Sequence, residues 1–112
     1  GIPVIGISSD AYLPYPAKNA LGLHLQQACT LCINNFAPHG DACLSPEGWE
    51  TGMTPVSTVA STYIINSVLA ESVRMAVEMG VKVPLYVSGN IPGGAERNQA
   101  LIEAFKPRIP CL

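Results

Sequence analysis

Apolar residues form short unbroken runs early in the chain and recur at helical spacing in its second half. Pro3 to Ser8 is a run rich in Val and Ile with little alternation. That pattern predicts a strand buried on both faces of a parallel sheet. Ser8-Ser9-Asp10 ends it with small polar residues, and Tyr12 to Pro16, which carries Pro14 and Pro16, reads as an irregular loop. Ala17 to Gln27 reads as a helix because Leu21, Leu25 and Ala28 share one face, with Gly22 as a weak point. Cys29 to Ile33 is the next buried strand. From Asn34 to Pro55 no element is predicted, since Pro38, Gly40, Pro46, Gly48, Gly52 and Pro55 punctuate it. A structureless connection of that length inside a domain is usually functional or mobile.

The clearest element follows. Val59, Tyr63, Ile64, Val68, Leu69, Val73, Ala76 and Val77 repeat at helical spacing. Hydroxyls at Thr54 or Ser57-Thr58 can cap the start, and Gly80 can stop the end. A helix over 56–79 is about 35 Å long. Its small residues Ala60, Ser61, Ser67 and Ala70 permit close packing against another element. Val83 to Ser88 reads as a third buried strand, Gly89 to Gly94 as a turn, and Ala95 to Phe105 as a final helix ended by Pro107 and Pro110. Strands alternating with helices predict an α/β fold: a parallel sheet with helices on both faces.

Composition narrows the function classes. The chain has 112 residues, enough for one domain, and is 48% apolar but only 12% charged, which excludes a disordered segment. Six Lys+Arg against eight Asp+Glu leave a net charge of −2 with no basic cluster, so no nucleic-acid partner is expected. The longest uncharged stretch, between Glu50 and Glu71, holds Gly52, Pro55, Asn66 and many hydroxyls. It is too polar to span a bilayer, and no membrane partner is expected. There is no basic start followed by a long apolar run, so a cytoplasmic location is expected. A strand at the very first residues suggests a chain entered midway, with the N-terminal part missing. The low charge agrees, since surface can be covered by further chain or by a partner.

Cys29, Cys32, Cys43 and Cys111 are too few for a disulfide framework, and reduced thiols are the expectation. Cys29-Thr30-Leu31-Cys32, flanked by His24 and His39, raises a zinc site. Against it, residues three apart in a strand face opposite sides, and only one ligand pair exists. The expectation is no metal.

In parallel sheets ligands bind at the carboxyl ends of the strands. Those ends are Ser8-Ser9-Asp10, Asn34-Asn35 and Ser88-Gly89-Asn90, a polar rim suited to an oxygen-rich ligand or simply to water. Thr54 to Thr58, at the head of the long helix, joins free N–H groups and the helix dipole to adjacent hydroxyls, which suits an anion; ordinary capping is the alternative. Glu47 and Glu50 precede that helix, and either carboxylate can serve as a general base or stand as a solvated charge. His39 and Asp41 are equally ambiguous, since a Gly-Asp pair often makes a turn. Glu71 reads as an ion-pair partner of Arg74.

Several segments resemble the sugar isomerase (SIS) domain family. Gly1-Ile2-Pro3-Val4-Ile5-Gly6-Ile7-Ser8-Ser9 looks like its strand-to-loop segment. Pro38 to Ala42, Val56-Ser57-Thr58 and the helix through Glu71 resemble one phosphosugar-binding subfamily. So does the tail from Ser88-Gly89-Asn90-Ile91-Pro92-Gly93-Gly94 to Pro107-Arg108-Ile109. The resemblance covers nearly the whole chain and implies that residues 1–112 are the C-terminal portion of one SIS-like doubly wound sandwich. It implies a phosphorylated sugar as ligand, bound by Ser57 and Thr58 with Ser8 and Ser9 near the cleft. It also implies an isomerase or etherase-like reaction by proton abstraction next to a carbonyl, with Glu47 as the base, no cofactor, and a homo-oligomer. Asn34-Asn35 departs from the acidic residue followed by Asn that the family pattern suggests. The rival reading is a non-catalytic sugar-phosphate sensor or regulatory module.

Overall fold

The computed structural model describes all of residues 1–112 as a mixed α/β structure. It divides into two compact units, Gly1–Ala70 and Glu71–Leu112.

In the first unit, β1 (Ile5–Ser8) pairs in parallel with β2 (Leu31–Asn34), in register from Ile5↔Leu31 to Ser8↔Asn34. Thr30 extends the pairing. Its amide donates to Val4 O at 2.8 Å, and its hydroxyl accepts from Val4 N at 3.0 Å. A parallel pair needs a crossover, and the helical part of this one is a single turn, α1 (Leu25–Ala28). Gly6 explains how close that turn lies to β1: a Cβ there would meet Leu25 and Cys29 Sγ at 3.0 Å.

The helix expected over Ala17–Gln27 therefore shrinks to its last turn. The side chain of Asn19 accepts from Leu21 N at 3.0 Å and donates to Leu23 O at 2.7 Å, and Gly22 has φ +63°. Local side-chain bonds of this kind satisfy backbone groups that a helix would otherwise use.

The stretch without an expected element contains a hairpin. β3 (Ala42–Leu44) runs antiparallel to β4 (Met53–Pro55), with Ala42 opposite Pro55 and Leu44 opposite Met53. These strands are three residues each, too short for alternation to be read from sequence.

The long helix, α2 (Ser57–Glu78), forms where its periodicity places it, and the boundary between the units falls within it. Gly80, at φ +73°, stops it with a Schellman motif: Val81 N donates to Ala76 O and Gly80 N to Val77 O, each at 2.9 Å. In the second unit, α3 (Gly94–Phe105) also matches expectation. The strand expected over Val83–Ser88 does not form. A strand exists only through a neighbour that pairs with its backbone, and the second unit holds no other strand. The side-chain amide of Asn98 takes that place at one residue: it accepts from Val87 N at 3.0 Å and donates to Val87 O at 2.8 Å.

Burial is slight. Ala37 is the one buried apolar side chain, and α2 buries none. The chain exposes 8926 Å² of accessible surface.

Candidate functional site

The carboxyl ends of β1 and β2 lead directly into polar segments that the first unit holds together. Ser8 stands opposite Asn34, and Ser8 O accepts from Asn35 N at 2.9 Å. Asn35 reaches on to α2, donating to Ser61 Oγ at 3.2 Å. Asp10 and Asn34 are joined at 2.9 Å through Asn34 Nδ2. Ser9 is buried, at 5% exposure. Its hydroxyl donates to Ala37 O and accepts from Ala11 N at 3.2 Å. Ser9 thus fixes the turn after β1 against the turn after β2, and its hydroxyl is already engaged within the chain.

The head of α2 is occupied by the protein's own anion. Asp41 Oδ1 accepts from Val56 N at 3.1 Å and Ser57 N at 2.7 Å, and Oδ2 accepts from Ser57 Oγ at 2.6 Å. Asp41 has φ +65°, a conformation that Asp tolerates better than most residues. The Ser57 hydroxyl, helped by the two amides, holds the carboxyl of Asp41 below its ordinary value. The reason is the free donors and positive dipole of a helix start, as sequence suggested. The group that fills the place is Asp41, for which the sequence alone leaves chemistry and a turn equally open.

Thr58 is exposed and faces a shallow groove along α2 with Val59, Thr62, Tyr63 and Asn66. Glu47 lies in the loop joining β3 to β4, where Trp49 N donates to Pro46 O at 3.0 Å. The hairpin register puts Pro55, next to the α2 head, at one end and that loop at the other. Glu47 and Ser57 are therefore not brought together.

Cys29 and Cys32 do face each other. Cys29 precedes β2, so the alternation of a strand does not separate the sulfurs. Desolvation pushes the Cys32 thiol up, and Cys29 and Asp10 add to it. No three His, Cys, Asp or Glu side chains converge where they could hold a metal ion.

A second feature was not legible in the sequence. Tyr12, Tyr15, Pro16, Ala17, Lys18, His24 and His39 line a cleft of about 520 Å³. His39 stacks on Tyr15 with ring centres 3.8 Å apart and 16° between planes, and tilts against Tyr12 at 5.0 Å. Tyr12 Oη accepts from Gly40 N at 3.1 Å, which joins the turn after β1 to the loop after β2 a second time.

No helix is long and apolar enough to cross a membrane. The chain matches no family model. It is similar over its whole length to curated bacterial proteins named UPF0309. It is 40% identical to one from Halalkalibacterium halodurans, covering 100% of this chain and 45% of that protein. A Geobacillus thermodenitrificans protein is 38% identical, with 100% and 45% covered, and one from Geobacillus sp. strain WCH70 is 37% identical, with 100% and 46% covered. The chain thus spans about half the length of the curated relatives it matches.

Proposed function

We propose that the chain is part of an SIS-like phosphosugar-binding domain of doubly wound architecture, serving a sugar-phosphate isomerase or etherase-like enzyme. The observation that carries this reading is the polar rim at the carboxyl ends of two parallel strands, tied to α2 through Asn35 and Ser61. Parallel α/β sheets bind ligands at that place. A sugar phosphate presents many oxygens to such a rim. In this reading Ser8 borders the ligand, Ser9 holds the rim in shape, and Thr58 and Ser57 supply hydroxyl donors once Ser57 turns from Asp41. Glu47 abstracts the proton next to the carbonyl, which requires its loop to move toward the rim. The assembled protein is a homo-oligomer, because α2 leaves Val59 and Tyr63 more than 70% exposed.

Calorimetric titration with hexose 6-phosphates tests the binding. The double variant Ser57→Ala/Thr58→Ala lowers affinity by about tenfold or more through lost hydrogen bonds to a charged ligand. The unphosphorylated hexose binds both forms weakly and alike. Undiminished affinity in the double variant sinks the assignment of these two residues. The sensor reading is separated by incubation in heavy water: an enzyme exchanges the hydrogen at C2 of the bound sugar, a sensor does not.

A further inference from the structure

The rim just described lacks one thing a phosphate needs, which is positive charge. Ser8, Ser9, Asn34, Asn35, Ser57 and Thr58 are neutral, and Asp41 brings a carboxylate to the α2 head. The cleft beside it has the opposite character. Its titratable lining is Lys18, His24, His39 and two tyrosines, with no Asp or Glu. Lys18 makes no ion pair or hydrogen bond, and His39 forms no hydrogen bond through its ring nitrogens. The remaining lining is Pro16 and Ala17, and Tyr15 is 47% exposed despite the stacked His39. Unpaired nitrogens beside flat apolar walls fit a small anion that carries a ring. The volume of about 520 Å³ is in the range of small-molecule sites.

Position supports the same ligand. Tyr12 follows Ser9 by three residues and ends the short 3-10 turn after β1. His39 follows Ala37, whose carbonyl Ser9 holds, and precedes Asp41, which holds the α2 head. The cleft therefore continues the rim at the carboxyl ends of the strands. We infer that it is a binding site for a ring-bearing phosphate monoester, with Lys18 pairing with the phosphate and Tyr15 lying against the ring. The inference rests on the phosphosugar reading for its natural ligand, and it supplies the phosphate with the positive charge that the hydroxyls of Ser57 and Thr58 lack. Lys18 is a binding residue here, and no bond is made or broken.

Titration of the full chain with glucose 6-phosphate, phenyl phosphate and inorganic phosphate tests it, with circular dichroism confirming that each variant is folded. Lys18→Gln weakens both esters about tenfold, the loss of one charged contact. Tyr15→Ala weakens both esters and leaves inorganic phosphate unchanged, while Tyr15→Phe, which keeps the ring, binds like wild type. Wild-type affinity for both esters in Lys18→Gln and Tyr15→Ala overturns the inference. If glucose 6-phosphate affinity still falls in Ser57→Ala/Thr58→Ala, the phosphosugar reading survives that result. If phenyl phosphate binds in a Lys18-dependent way and glucose 6-phosphate does not bind, the cleft stands and the phosphosugar reading falls. Binding of neither ester to wild type overturns both.

Discussion

Asp41 is the residue whose role changes most between sequence and structure. Its carboxylate completes three donors at the α2 head, two of them backbone N–H groups that the helix itself cannot use. Its folded-state pKa lies below the ordinary value of 3.8. A depressed acid pKa gives stability that is fully present above the unfolded value and is lost as pH falls through the folded one. Wild type should therefore melt at a higher temperature than Asp41→Asn at pH 6, and the two should converge as pH falls below 3.8. Melts followed by circular dichroism across that range check it, and a constant gap down to pH 2.5 would refute the charge as the cause. Glu47 poses a different question at this scale, since it lies in a hairpin loop away from Ser57. As the base, Glu47→Gln should abolish C2 hydrogen exchange and leave hexose phosphate affinity nearly unchanged, while Glu50→Gln should do little. Equal mild effects from both would favour a sensor.

Two elements of the second unit depend on single residues. Gly94 opens α3 and is buried; a Cβ there would meet Ser88 O at 2.2 Å. No side chain fits without moving the backbone, so Gly94→Ala should displace the turn between Ser88 and α3. Asn98 does for Val87 what a neighbouring strand would do. Removing both of its bonds in Asn98→Ala should cost about 1–3 kcal/mol, from roughly 0.5–1.5 for each bond. Amide hydrogen exchange should speed up at Val87 in this variant. Unchanged protection there would mean that Asn98 follows the Val83–Ser88 segment rather than holding it. The paired helix C-terminus is a third case: Gly80, at φ +73°, is replaced by Ala at a cost of about 1–2 kcal/mol, because L side chains crowd the left-handed region.

At the scale of the molecule, exposure is the dominant fact. The chain exposes 8926 Å² of accessible surface. Much of it is apolar, including Ile2, Leu21, Phe36, Trp49, Val59 and Tyr63. Such patches drive association. The 112-residue chain on its own should self-associate at micromolar concentration and bind a hydrophobic dye such as ANS. Light scattering that gives a monomer without dye binding would count against this, and against the homo-oligomer with it.

The sequence by itself determined what depends on neighbours along the chain. Apolar spacing placed α2 and α3 to within about a residue, and Gly80 marked the stop, because helix bonds join residues four apart and the pattern repeats many times. The runs at Pro3 to Ser8 and Cys29 to Ile33 became β1 and β2 within two residues for the same reason of local composition. Tertiary structure decided whatever required a distant partner. Val83–Ser88 has the composition of a strand but no strand beside it, and the three-residue strands of the hairpin exist only through each other. Ser57 and Thr58 were rightly placed at a helix head, yet only folding brought Asp41, sixteen residues before Ser57, onto its donors. The cleft is the extreme case: Tyr12 and His39 lie in segments without periodicity, and Lys18 and His24 in a segment read as a helix of which only the last turn forms. They meet only because Ser9 and Tyr12 fasten the turn after β1 to the loop after β2 by hydrogen bonds across 28 residues.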